Sequence, residues 1–188
     1  SRTGLMKPVC GSPLKARGIA AVEMVLVIPL LLILGLGVIE VSHMILAKNI
    51  STALAREGAN LSSRAFADSD QEIMDALALS ADPLDLSQSG VIYISVVVGD
   101  EDSDPYISEQ HRWHDYGYRA SSRTWGSCSS WDNNGACVIP SNKPRLTNFP
   151  MALEPGETVH VVEVIYDYSF LTRYVFDRNH VIYSRVLM

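Results

Sequence analysis

"KARGIAAVEMVLVIPLLLILG", residues 15–35, decides how this chain is read. It sets a carboxylate, Glu23, near the start of an otherwise apolar run. A charge at the centre of a membrane helix costs roughly 2.5–3.5 kcal/mol on insertion scales, so an acid found there marks function by default. From Ile19 to Ala47 the only ionisable residues are Glu23, Glu40 and His43, and residues 24–39 carry no charge. About 20 residues rising 1.5 Å each cover the hydrocarbon of a bilayer. A cleaved secretory signal has an apolar core of only about 7–15 residues before its small-residue cleavage site. Here the run is longer and passes straight into another helical pattern, so residues 19–47 read as a retained transmembrane helix.

Charge gives the orientation. Residues 1–18 carry Arg2, Lys7, Lys15 and Arg17 and no acid, while the chain after Gly18 has 11 basic and 21 acidic residues, a formal charge of −10. So acidic a body excludes nucleic-acid binding, which needs a basic footprint. Basic residues before an apolar helix stay cytoplasmic, which sends the body to the periplasm or the exterior. The sequence opens with Ser1, and Met6 is a candidate natural start. Cys10 falls on the reducing side and Cys128 and Cys137 on the oxidising side. Two cysteines nine positions apart in an exported body predict a disulfide.

The apolar run continues into "KNISTALAREGANLSSRAF", residues 48–66, where Ile50, Leu54, Leu61 and Ala65 recur at near-helical spacing with Ala53 beside them. Residues 48–67 therefore extend the membrane helix as an amphipathic spine, with Pro29, Gly35 and Gly37 as weak points. A short helix is expected over residues 71–80. Strands follow at 91–98, 158–171 and 180–187, with Val162, Val164, Tyr166 and Tyr168 on one face of the second. The amphipathic half of the spine is the natural cover for that face. The fold class is α+β: a helical spine on a small, mainly antiparallel sheet, with residues 68–188 as the head and 99–157 as a long aromatic excursion.

The excursion holds the candidate chemistry. His111 and His114 have an H-x-x-H spacing, but on a strand positions three apart face opposite ways, and no partner completes a zinc set. Asp100, Asp102 and Asp104 echo the start of a calcium loop. Pro105 replaces its glycine and His111 its terminal glutamate, which excludes an EF-hand and leaves a looser calcium site or a solvated acidic turn. No phosphate loop, dinucleotide fingerprint or nucleophile elbow is present, so no enzymatic activity, cofactor or metal is expected. Trp113, Trp125 and Trp131 lie in the excursion with Tyr106, Tyr116 and Tyr118. They form either a small aromatic core or an exposed patch for a partner. Asn134-Gly135 signals a turn between the cysteines.

A basic tip, Gly18, then Ile19-Ala20-Ala21-Val22 and Glu23 resembles a type IV prepilin. With "ALAREGA" at residues 53–59, the stretch 17–60 looks like the TadE-type minor pilins (pseudopilins) of the tight adherence (Tad/Flp) system. Where that family commonly has an aromatic after the glutamate, this chain has Met24. The resemblance implies a leader, residues 1–18, that a prepilin peptidase removes between Gly18 and Ile19. It also implies a role for Glu23 in pairing with the terminal amine of a neighbouring subunit, since a buried charge is tolerable only when paired. Glu40, about 25 Å further along the helix at 1.5 Å per residue, would be hydrated near the outer interface or meet His43. The implied partners are the major Flp-type pilin, other minor pilins, the peptidase and an inner-membrane assembly platform. The implied route runs from the bacterial inner membrane to a cell-surface pilus serving adhesion. TadE-type and TadF-type subunits, and a priming or capping role, are not separated by the residues. The alternative is an uncleaved, single-pass anchored periplasmic binding protein.

Overall fold

The computed structural model describes residues 14–64, 70–101, 104–170 and 180–188. The leading helix, α1, runs Leu14–Ser62 without interruption. Pro29 removes the N–H that would bond the Val25 carbonyl, yet the helix passes through it and through Gly35 and Gly37, as apolar spanning helices tolerate. Its end at Ser62 falls short of the expected 67. Residues 63–64 form a turn, and Ala65 lies outside the described residues.

The chain divides into two compact units, Ser1–Val41 and Ser42–Met188. In the first, every side chain from Ala21 to Ile39 is exposed, Leu26 to 71%. Glu40 differs: it is 4% exposed, which corrects the expectation of a hydrated carboxylate. His43, the partner suggested for it, is exposed.

The second unit is built on a four-stranded antiparallel sheet in the order β2-β1-β3-β4, with β1 Gly90–Val98, β2 Tyr106–Arg112, β3 Thr158–Tyr168 and β4 His180–Leu187. Strands β1, β3 and β4 were legible as β-branched runs. Strand β2, "YISEQHR", falls inside the expected excursion, because Glu, Gln and His dilute its pattern. It pairs with β1 from Tyr93↔Arg112 to Val98↔Tyr106, with an irregularity between Val96 and Val97.

Side chains alternate across the sheet. Ile92, Ile94, Val162 and Val164 face a layer of helices: the end of α1, α2 (Asp70–Leu79) and the short α3 (Leu86–Ser89). In α2, Ile73, Met74 and Leu77 turn inward at helical spacing. In α1, the buried stripe is Ala47, Ser51, Leu54, Ala55, Gly58, Ala59 and Ser62. This corrects the expected stripe: Leu54 belongs to it, but Leu61 and Ala53 are exposed and Ile50 is only partly buried. Small residues win because they let the helix backbone approach the layer beneath. A Cβ added to Gly58 would stand 2.8 Å from Leu77 Cδ1 and 3.0 Å from Val162 Cγ1.

The opposite face carries Val91, Tyr93, Val97, Val159, Val161 and Ile165. The excursion folds over it, bringing Trp125, Ile139, Phe149 and Leu153 to one cluster and Tyr118, Ala120 and Trp131 to another. The sheet is thus buried on both faces, between helices and an irregular layer. The excursion also covers the β2 edge, where the Cys137 N–H donates to the Gln110 carbonyl at 2.8 Å and the Arg112 N–H to the Gly135 carbonyl at 2.7 Å. An edge so occupied is closed to strand addition.

Candidate functional site

Two regions carry the residues singled out from sequence. On the first, Gly18 and Ile19 lie within the backbone span of α1. Glu23 is exposed among Val22, Met24, Val25 and Leu26, all exposed as well, and it forms no ion pair among the described residues. A helical stretch that is apolar all round and, like residues 21–39, exposes every side chain needs lipid or other helices around it. Residues 21–62 are long and apolar enough to cross a membrane. The arrangement fits a membrane anchor with one exposed carboxylate in its apolar run.

On the head, the three tryptophans separate. Trp113 is 4% exposed in the helix-side core and donates from Nε1 to Asp75 Oδ1 at 2.8 Å, which takes it off the surface. Trp125 and Trp131 are partly buried on the other face. Cys128 and Cys137 are joined by a disulfide, with Cα atoms 6.1 Å apart, inside the usual range. Between them Asp132 Oδ1 accepts the N–H groups of Asn134 and Ala136 at 2.9 and 2.7 Å, and Gly135 takes a φ of +74°. A Cβ there would meet the Arg112 carbonyl oxygen at 2.2 Å, so the Asn-Gly turn is required by close approach as well as by φ.

The two histidines of H-x-x-H both end up near the start of α2, with different partners. His111 Nε2 lies 3.4 Å from Asp70 Oδ2. Burial pushes the Asp70 carboxyl up, against the pull of His111 and His160. His114 Nδ1 bonds Gln71 Oε1 at 2.8 Å, and its ligand atoms group with those of Asp75 and Asp115 within 4.8 Å in an open surface cluster. Asp75 in that cluster is the acceptor for Trp113. Of the acidic run, Asp100 pairs with Arg145 at 2.7 Å and the Asp104 carbonyl accepts from the same guanidinium at 2.9 Å. Asp102 lies outside the described residues. Arg145 therefore pairs with one of the three carboxylates that the sequence offered to calcium.

Two residues stand out that their sequence neighbourhood did not mark. Glu163 is wholly buried in β3, where the Ser122 hydroxyl donates to its Oε2. Its Oε1 accepts the N–H groups of Arg123 and Thr124 at 3.0 and 3.1 Å and the Tyr183 hydroxyl at 2.6 Å. One carboxylate on the sheet thus anchors the covering layer. Arg112, at the end of β2, holds its guanidinium 4.4 Å from the ring centres of both Tyr116 and Trp131. An isolated Glu in a valine strand and a lone Arg beside "WHD" give no periodic signal, so only contact reveals them.

An exposed apolar helix leading into a helix-covered antiparallel sheet is the arrangement of a pilin-like α+β protein. Residues 18–60 match the family described as TadE-like protein. The match spans the helix from Gly18 into its buried stripe and stops before the sheet. No curated protein and no solved structure matches the chain.

Proposed function

We propose that the chain is a minor pilin precursor of a Tad/Flp type IV pilus. A prepilin peptidase cuts it between Gly18 and Ile19, and it joins the pilus through its helical spine to support assembly and surface adhesion. What supports this reading is one coincidence: the TadE-like match falls on a helix that exposes every side chain from Ala21 to Ile39 and keeps a single carboxylate, Glu23, among them. TadE-like proteins are structural, so the role is assembly rather than catalysis. The basic tip stays cytoplasmic and the acidic head faces the periplasm, before transfer to the cell surface. Glu23 meets the new terminal amine of a neighbour, a pairing that sets register because an unpaired charge in lipid is costly. The major Flp-type pilin, other minor pilins and the inner-membrane platform are the partners.

The test is the intact mass of the membrane-extracted protein. With an active prepilin peptidase the mass should correspond to a chain beginning at Ile19, and Gly18→Trp should keep the precursor mass. A wild-type protein that retains its tip beside an active peptidase overturns the reading in favour of an uncleaved anchored binding protein.

A further inference from the structure

The excursion side of the sheet contains a cavity of about 250 Å³. Its lining includes Arg112 and Arg119 and no carboxylate, although the chain after Gly18 carries a formal charge of −10. Arg112 forms no ion pair among the described residues. Two aromatic faces hold its guanidinium by cation–π attraction, which fixes the group without neutralising it. Polar satisfaction in the same wall is incomplete. Gln110 is 1% exposed, and its Nε2 donates to Ser95 Oγ and to the Trp125 carbonyl at 3.2 and 3.0 Å. Its Oε1 and the Nε of Arg112 are two of the three buried side-chain atoms without a hydrogen-bond partner among the described residues. Such orphans are few in native proteins and each calls for an explanation.

We propose that this cavity binds a single acidic sugar residue. Its carboxylate engages Arg112 and Arg119, and the apolar face of the ring lies against the parts of Trp125 and Trp131 that line the cavity. Guanidinium groups suit carboxylates because their N–H fork matches the two oxygens. An inorganic anion leaves the aromatic wall unused, and a neutral sugar leaves the cation unanswered. Size selects one ring: the volume falls just below the roughly 300–1,000 Å³ typical of drug-sized ligands. The wall is held in advance, because Trp131 stands in the loop closed by Cys128–Cys137 and that loop bonds the backbones of Gln110 and Arg112. Preorganisation of this kind lowers the cost of binding. The proposal does not depend on the pilus reading.

The experiment titrates the full chain in detergent micelles with sodium glucuronate, followed by tryptophan fluorescence at constant ionic strength. Glucose, sodium sulfate and oligoglucuronate run as separate arms. A saturable change with glucuronate is expected, with glucose and sulfate weaker by about tenfold or more, a margin of ~1.4 kcal/mol. Arg112→Lys keeps the charge but loses the fork and should weaken glucuronate by a similar factor. Arg119→Gln should weaken it too, and it serves as the readout if the first variant melts early. Reducing the disulfide should lower affinity for glucuronate, because the wall it holds in advance is loosened. Oligoglucuronate binding alongside the monosaccharide supports capture of a chain end. Binding of the oligomer alone, equal binding of glucose or sulfate, no saturation, or wild-type affinity in both arginine variants overturns the proposal.

Discussion

At the scale of single residues, Glu163 ties the two layers of the head together. Its carboxylate gathers four donors from the covering segment and from β4. Hydrogen bonds to a charged group contribute about 1.5–3 kcal/mol each against about 0.5–1.5 for neutral pairs. Glu163→Gln keeps the shape, weakens three of the bonds and turns an N–H toward the Ser122 hydroxyl, whose oxygen already accepts from the Thr124 and Trp125 N–H groups. A loss of about 2 kcal/mol is expected. Glu163→Ala strands the donors and should cost ~3–5 kcal/mol. Urea midpoints at unchanged slope measure both, and an alanine variant as stable as wild type would remove the anchor role. Its neighbour Tyr183 has its phenol pushed well above the ordinary 10.0 by burial, then by the charge and hydrogen bond of Glu163. Burial raises Tyr93 and Tyr166 as well. In the unfolded chain these phenols lose their protons first, so the unfolded state binds fewer protons above pH 10. Stability is therefore full below pH 10 and falls as pH rises beyond it. Unfolding midpoints between pH 9 and about pH 11 should show this decline, and Tyr183→Phe should flatten part of it from a lower starting stability.

At the scale of elements, α1 uses its sequence in two ways. Past Val41, small residues seat it closely on α2 and β3; before that point Gly35 and Gly37 meet nothing among the described residues. A Cβ at Gly35 or Gly37 finds no atom within 4 Å. Alanine is favoured over glycine in a helix by ~1 kcal/mol, but overpacking costs about 1–3. Gly58→Ala should therefore destabilise the head by about 1 kcal/mol net, whereas Gly35→Ala and Gly37→Ala leave it unchanged. If Gly58→Ala raised the unfolding midpoint, the close approach of helix and sheet would be wrong. The excursion is the second element with a double use, as cover for a sheet face and as cap for the β2 edge. Closing its nine-residue Cys128–Cys137 separation contributes roughly 2–3 kcal/mol by loop entropy. Removing both cysteines as Ser should cost that much while leaving the strand content seen by circular dichroism intact.

At the scale of the whole molecule, the prediction concerns Glu23. Glu23→Ala should leave the head folded and the helix inserted, since losing a charge from an apolar run eases insertion. On the proposed pilus reading, association with pilin subunits should fail, because the partner amine loses its counter-ion in a low-dielectric setting. Glu23→Asp keeps the charge with a shorter reach and should fall between. Co-purification with the major pilin, normalised to membrane-inserted protein, reads the effect. Wild-type incorporation of the alanine variant sinks the pairing role.

The sequence by itself determined what depends on local pattern. Glu23 in its apolar run, the β-branched strands at 91–98 and 180–187, the Asn134-Gly135 turn and the close spacing of Cys128 and Cys137 are all properties of neighbours along the chain. Tertiary structure alone decided what depends on the partner across space. It chose small residues over Leu61 for the buried stripe, since backbone approach rather than side-chain size set the packing. It turned the excursion from a loop into the second cover of the sheet, because both faces of β1 and β3 are apolar and only one could meet the helices. It also placed Glu163, Arg112 and Gln110, whose meaning lies in donors and rings that approach from distant parts of the sequence.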